Sequence, residues 1–333
     1  MNFSRRKNWL YFILFLIFAF LLVVVWNVYI LKIAPVIAIP SPPVIITVNN
    51  SATAFQVVHQ LKDKKLINSP RFFLFLIRIE GLSHQLKAGV YQIQPGESAI
   101  HLVRRIANGD VLTQNFIIVE GTTQFKVAQD LQKAAYLNYH PDDWKVVKTS
   151  HNSAEGLLLA DTYQYGGGSS GKMLLEHAHR NLLNYLNKAW LNRASDLPFK
   201  NAYELLTAAS IIEKETAIPS ERKLIAGVIV NRLKKNMPLQ MDPTVIYGLG
   251  TEYTGKLSHN NMQINSPFNT YRNRGLPPSP IAMVGKEAID AASHPQLSKY
   301  LYFVAKGDGS HQFSENYEQQ KQAIEYNRHK DIK

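Results

Sequence analysis

Cysteine is absent from all 333 residues. That absence excludes disulfide scaffolds, thiolate zinc sites, iron–sulfur clusters, thiol nucleophiles and cysteine-linked lipid anchors. Metal hydrolysis is poorly supplied as well: the eleven histidines include no HExxH, and His177 and His179 stand two apart on a predicted helix, pointing to different sides. No metal and no cofactor is expected. Acidic side chains are scarce, with 25 Asp+Glu against 37 Lys+Arg, a formal charge of +12, and only 19% of residues are charged. With 46% hydrophobic residues and 11% aromatics, the composition excludes disorder, collagen and coiled coil. The length allows two domains, or one large domain with an appendage.

The longest apolar run stands at the amino terminus. From Leu10 to Leu31 there is no charge, and Asn27 is the one strongly polar residue. At 1.5 Å per residue such a run crosses a hydrocarbon core of roughly 30 Å. Arg5, Arg6 and Lys7 precede it and Lys32 follows, so positive charge puts residues 1–9 in the cytoplasm. The apolar part of a cleaved signal peptide is shorter, about 7–15 residues, so residues 10–31 are expected to remain as an anchor. Pro35, Pro40, Pro42 and Pro43 then mark residues 32–43 as a stiff spacer. An outer domain meets neither nucleic acid nor nucleotide. The surplus charge then points to anionic lipid or cell-wall polymer, with a merely solvated surface as the alternative.

Between Val44 and Val119 a β-rich run, a polar turn and an amphipathic helix recur. In the first copy Ser51 is the expected N-cap and Val57, Val58 and Leu61 share a helical face. In the second, Pro95-Gly96 turns into a helix capped by Ser98 and stopped at Gly109; a third starts at Phe116 and turns at Glu120-Gly121-Thr122. Arg71–Ile79, reading RFFLFLIRI, looks too apolar for anything but a buried helix. Gly166 to Gly171-Lys172 has the spacing of a phosphate loop, but Met173 takes the place of the Ser or Thr that binds magnesium, so a glycine turn before a helix is expected.

The chemistry is expected in Ala202–Gly250. Leu206, Ala209 and Glu213 align on one helical face, beside the small residues Ala208 and Ser210. No cation lies three or four residues from Glu213, and an unpaired carboxyl on an apolar face is raised in pKa, which suits a general acid. The alternative is a helix-end glutamate bonded to a distant side chain. Glu215 faces elsewhere and reads as surface or helix-end charge. Asp242 has the alternative of capping a helix around Val245-Ile246-Tyr247.

ASIIEKET (Ala209–Thr216), NRLKKNMPLQMDPTVIYGLG (Asn231–Gly250), NTYRNRGLPPSPI (Asn269–Ile281) and YLYFVAKGDGSHQFS (Tyr300–Ser314) together resemble the endolytic murein transglycosylases, the YceG-like or MltG family. The resemblance implies an α+β protein: an inner-membrane anchor, a LysM-like α+β subdomain over residues 44–119, seen in GVYQIQPGESAIHLVRRIANG, and a mixed α+β catalytic domain over 120–333 outside the membrane. It implies cleavage of the MurNAc-β-1,4-GlcNAc bond within nascent peptidoglycan without water, giving 1,6-anhydro ends, with Glu213 as acid and then base. Gln240, Asp242, Tyr247, Asn269 and Tyr271, with Glu155 and His311, are expected to bind sugar or to hold the fold. Expected partners are glycan strands and wall synthases of the penicillin-binding type. A silent glycan-binding scaffold and a two-carboxylate muramidase stand as alternatives. Two departures from the family pattern, Ala160 and Val284, each replace a proline.

Overall fold

A computed structural model describes residues 3–33, 43–147 and 153–330, so Pro35, Pro40 and Pro42 of the expected spacer lie outside the described residues. The chain divides into two compact units. The first takes Met1–Gln114 with the returns Ala135–Asn138 and Gln164–Ser169, and the second takes the rest. The division thus falls at Gln114, earlier than the expected boundary after Val119, and the first unit reclaims two short pieces from the second.

In the first unit, α1 (Phe3–Lys32) is followed by β1 (Ile45–Val48), α2 (Ala54–Asp63), α3 (Pro70–Ile79), β2 (Gly89–Gln92) and α4 (Ala99–Asn108). β1 and β2 pair antiparallel, Ile45 opposite Gln92 and Val48 opposite Gly89. Ile46, Val58, Leu61, Phe73, Ile77 and Tyr91 fill the core between this ribbon and the helices. Ser51 is not the cap of α2: it sits at φ 66, and Thr53 and Gln56 close a reciprocal capping box instead. Ser98 and Gly109 begin and end α4 as the sequence indicates, Gly109 at φ 83. The expectation for Arg71–Ile79 is half met. Phe73, Leu76 and Ile77 are buried, but Phe75 and Ile79 are exposed. The glycines before Lys172 serve packing, since a Cβ on Gly166 or Gly167 would meet Val111 or Val90 at 2.5 and 2.7 Å.

β3 (Thr113–Ile117) pairs with β4 (Thr162–Gly166), and the division between units falls inside both strands. The second unit adds α5 (Gln124–Lys133), α6 (Gly171–Leu191), α7 (Ala202–Glu215), α8 (Pro219–Lys234), α9 (Asp242–Leu249), α10 (Lys286–Ser293), the antiparallel ribbon β5 (Tyr302–Ala305) with β6 (His311–Ser314), and α11 (Tyr317–Lys330). α7 is the central helix: every residue from Leu205 to Ile212 is buried, and α6, α8, α9 and α10 pack round it. Its small residues permit this. Ser210 accepts the Ile281 N–H at 3.0 Å and donates to Thr207 O at 2.7 Å, so the Pro-rich segment after α9 runs directly against α7.

Ala160 and Val284 meet each other. Leu159 bridges Val284, and the Ala160 N–H donates to Val284 O at 2.8 Å. Proline has no N–H to give there. Ala160→Pro is therefore expected to cost about 1–3 kcal/mol, from an orphaned carbonyl and the lost bond, read as a lower midpoint in thermal denaturation.

Candidate active site

All four family-like segments line one cavity of about 240 Å³ in the second unit. ASIIEKET contributes Glu215; Asn231–Gly250 contributes Arg232, Leu239, Gln240, Met241 and Asp242; the next two segments contribute Tyr271 and then Phe303, Val304, Ala305 and His311.

Glu215 is the last residue of α7, where the helix gives way to the Thr216 cap and delivers the side chain into a loop-walled space. Its Oε1 is buried without a hydrogen-bond partner among the described residues. Burial first, and the Asp242 carboxylate second, push the Glu215 carboxyl up to about 8 against the opposing pull of Arg232. Arg232 is committed to framework. Its Nε donates to Leu301 O at 2.6 Å, a terminal nitrogen donates to Leu239 O at 2.6 Å and Gln240 Oε1 at 3.3 Å, and the guanidinium lies 5.1 Å from the Tyr302 ring centre. This spends the cation on the cavity wall and leaves Glu215 unneutralised by a direct bond.

Asp242 opens α9 but does not cap it; Oδ1 accepts the Tyr271 hydroxyl at 2.5 Å, and the phenol is held above its ordinary range by burial and then by that carboxylate. Gln240 holds a left-handed backbone, φ 52, next to the cavity, a conformation that a side chain adopts only when its surroundings enforce it. Its N–H donates to Thr270 O at 3.1 Å. His311 is fixed by Glu221: its backbone N–H donates to Oε1 at 2.8 Å and Nδ1 lies 2.7 Å from Oε2. Burial alone would raise the Glu221 carboxyl, but these contacts outweigh it and hold it below the usual range.

Of the remaining expected residues, Glu155 and Tyr247 form a pair of their own. Tyr247 donates to Glu155 Oε2 at 3.2 Å, Oε1 accepts the Gln124 N–H at 2.9 Å, and burial raises the carboxyl. Asn269 is fully buried, its amide donating to Met262 O and Ile264 O and its oxygen accepting the Tyr271 N–H at 3.0 Å. Its bonds clamp the loop before the cavity.

Glu213 is placed elsewhere, and the expectation of an unpaired carboxyl is overturned. Arg222, nine residues on and outside the local helical search, donates to Oε1 at 3.0 Å, and the Gly285 N–H at the start of α10 donates to Oε2 at 2.9 Å. The Glu213 side chain is 2% exposed. Burial still raises its carboxyl, ahead of the lowering by Gly285 and Arg222. Arg222 also pairs with Glu287 at 2.6 Å and Glu120 at 3.5 Å, so Glu213 is the inner member of a clamp joining α7, α8 and the α10 N-terminus.

Glu215 and Arg232 line the cavity without having been singled out in the sequence as site candidates. Leu205–Ile212 of α7 are all buried, so alignment of Glu213 with Leu206 and Ala209 says nothing about a cleft. The available signal was position: Glu215 is the last carboxylate before the Thr216-Ala217-Ile218-Pro219 break. Chemically the cavity sets a carboxyl pushed up to about 8 beside the Asp242 side chain, an arrangement able to offer a proton donor. Among the described residues no three His, Asp or Glu side chains converge as a metal site needs.

The sequence is 28% identical over 308 residues, covering 84% of this chain and 83% of the relative, to a protein named endolytic murein transglycosylase in Bacillus subtilis (strain 168). A protein of the same name in Streptococcus pneumoniae serotype 2 (strain D39) is 29% identical over 290 residues, 74% of this chain and 51% of that longer relative. The crystal structure of a YceG-like protein from Listeria monocytogenes aligns over 84% of this chain and 98% of its own, at 28% identity and a TM-score of 0.52. The sequence matches the YceG-like family over residues 46–326, so the chain belongs to that family.

Proposed function

We propose that this chain is a membrane-anchored endolytic lytic transglycosylase that cleaves the MurNAc-β-1,4-GlcNAc bond within nascent peptidoglycan strands, with Glu215 rather than Glu213 as the proton carrier. The observation that carries the reading is the buried Glu215 Oε1, without a hydrogen-bond partner among the described residues, in a cavity lined by all four family-like segments. The names of the relatives support the reaction class.

In this mechanism neutral Glu215 donates its proton to the glycosidic oxygen as the bond to C1 of muramic acid breaks. The carboxylate so formed takes the proton of the muramic C6 hydroxyl, whose oxygen closes onto C1 and leaves a 1,6-anhydro end. The proton is returned to Glu215 and no water is consumed. The nucleophile is tethered to the substrate, so proximity replaces the second carboxylate of a hydrolase. Asp242, beside the cavity, balances positive charge developing at C1, and Gln240, Tyr271 and His311 bond or stack on sugar. A second reading, a muramidase using Glu215 with Asp242, is favoured by their sharing one cavity; it differs in the ends produced.

α1 supports a single-pass anchor, since Asn8–Lys32 is long and apolar enough to span, and Arg5, Arg6 and Lys7 favour a cytoplasmic amino terminus at the inner membrane. The small ribbon-and-helix first unit is read as the LysM-like glycan binder, and synthases that extrude strands at that membrane as partners.

A pH profile tests the proton carrier. Because the raised Glu215 pKa keeps the acid form at neutral pH, kcat/KM for strand cleavage is expected to hold up to about pH 8 and then to fall about tenfold per pH unit. A profile rising through pH 8 contradicts Glu215 as the acid.

A further inference from the structure

The first unit carries an exposed apolar stripe that the proposed catalysis does not use. Along α3, Phe75 and Ile79 stand four residues apart, 56% and 65% exposed, while Phe72, one turn earlier, is half-buried against the core; Arg71 and Arg78, both exposed, flank them. Phe55 of α2 borders the same side, lining a groove with Leu74 and Arg78. An amphipathic helix with an aromatic face and arginines beside it matches an interfacial helix.

What covers this face is indicated by α1. The last turn of α1 does not stand free: Leu31 is 2% exposed and belongs to the core of the first unit, with Val28 packed against it. Lys32 reaches Glu80 at 2.6 Å, and Glu80, the residue after Ile79, is also bonded by Arg104 at 2.8 Å. Removing this docked turn leaves Leu10 to Asn27, 18 residues and roughly 27 Å of helix, which is the thickness of a hydrocarbon core and nothing more. The first unit therefore begins at the bilayer surface, and Ile79 lies beside the residue that grips the end of the span.

We propose that α3 docks flat on the outer leaflet, Phe75 and Ile79 entering the headgroup and acyl boundary while Arg71 and Arg78 bind anionic phospholipid headgroups, so that the first unit is held against the membrane and not merely tethered to it. This rests on α1 being a membrane anchor, and its test separates the two. Because the chain has no native cysteine, Phe75→Cys and Leu22→Cys give single labelling sites for an environment-sensitive fluorophore on the full chain. Each is reconstituted in phosphatidylglycerol/phosphatidylethanolamine vesicles with and without spin-labelled lipid. The expected result is quenching of both, by deep spin labels at residue 22 and by shallow ones at residue 75. Arg71→Gln with Arg78→Gln, like replacement of phosphatidylglycerol by phosphatidylcholine, is expected to lower the docked-to-free ratio at residue 75 by roughly fivefold per arginine, leaving residue 22 unchanged. Quenching at residue 22 alone overturns docking while the anchor stands. A blue-shifted but unquenched label at residue 75 assigns the face to protein and overturns it too. Indifference to both arginines and phosphatidylglycerol overturns the headgroup contacts, and no quenching at either site overturns the anchor.

Discussion

Glu215→Gln is expected to lower strand cleavage by about 10²–10⁴-fold with the fold intact, because it removes the proton donor and keeps the shape. The expected stability change has the opposite sign. A carboxyl at about 8 in the folded chain against 4.5 as its ordinary value favours folding most when neutral in both states. That contribution is complete below about pH 4.5 and is lost as pH rises through about 8. Glutamine cannot ionise, so the variant keeps it, and the wild type is expected to fall behind by on the order of a few kcal/mol by pH 8. An inactive variant that melts no lower than wild type, and increasingly higher as pH rises, is the signature of a strained proton carrier. Thermal denaturation from pH 5 to 9 beside a cleavage assay reads both effects.

Glu213→Ala is expected to do the reverse. It strips the inner carboxylate from Arg222, 8% exposed, and leaves the Gly285 N–H without its acceptor. Removing one partner of a buried ion pair costs about 3–5 kcal/mol, so the apparent melting temperature is expected to fall by about 10 °C. Glu287 and Glu120 also hold Arg222, from exposed positions, and so compensate little. At temperatures where the variant is folded, it is expected to retain most of its cleavage rate. Glu213→Gln preserves an acceptor for Gly285 and is expected to be the milder of the two. Loss of activity in Glu213→Gln at wild-type stability would return the proton carrier to Glu213.

The contrast between these two residues shows how far a sequence can be read. Capping is local chemistry, and Ser98 and Gly109 bound α4 as their types require. The cavity lining was also legible in part: Gln240, Asp242, Tyr271 and His311 do converge. Asn269 and the Glu155–Tyr247 pair were legible as important without their geometry, because whether a buried amide faces sugar or backbone depends on the loop folded over it. The expectation of an unpaired Glu213 carboxyl failed for a definite reason. Its partner Arg222 lies beyond the three-to-four-residue reach of helical pairing, and a helix wrapped on all sides has no unique inner stripe. α3 failed in the opposite direction. Apolarity alone predicts burial, yet Phe75 and Ile79 face outward, next to the end of the one helix among the described residues that is long and apolar enough to cross a membrane.

The central claim is closure of the muramic C6 oxygen onto C1, with one carboxyl shuttling the proton. Sacculi digested with the detergent-solubilised full chain, their fragments resolved by mass spectrometry in ordinary and ¹⁸O-labelled water, test it most directly. New ends that are 1,6-anhydro-muramic acid and carry no label are the predicted result; reducing muramic ends that carry ¹⁸O would make the protein a hydrolase and contradict it.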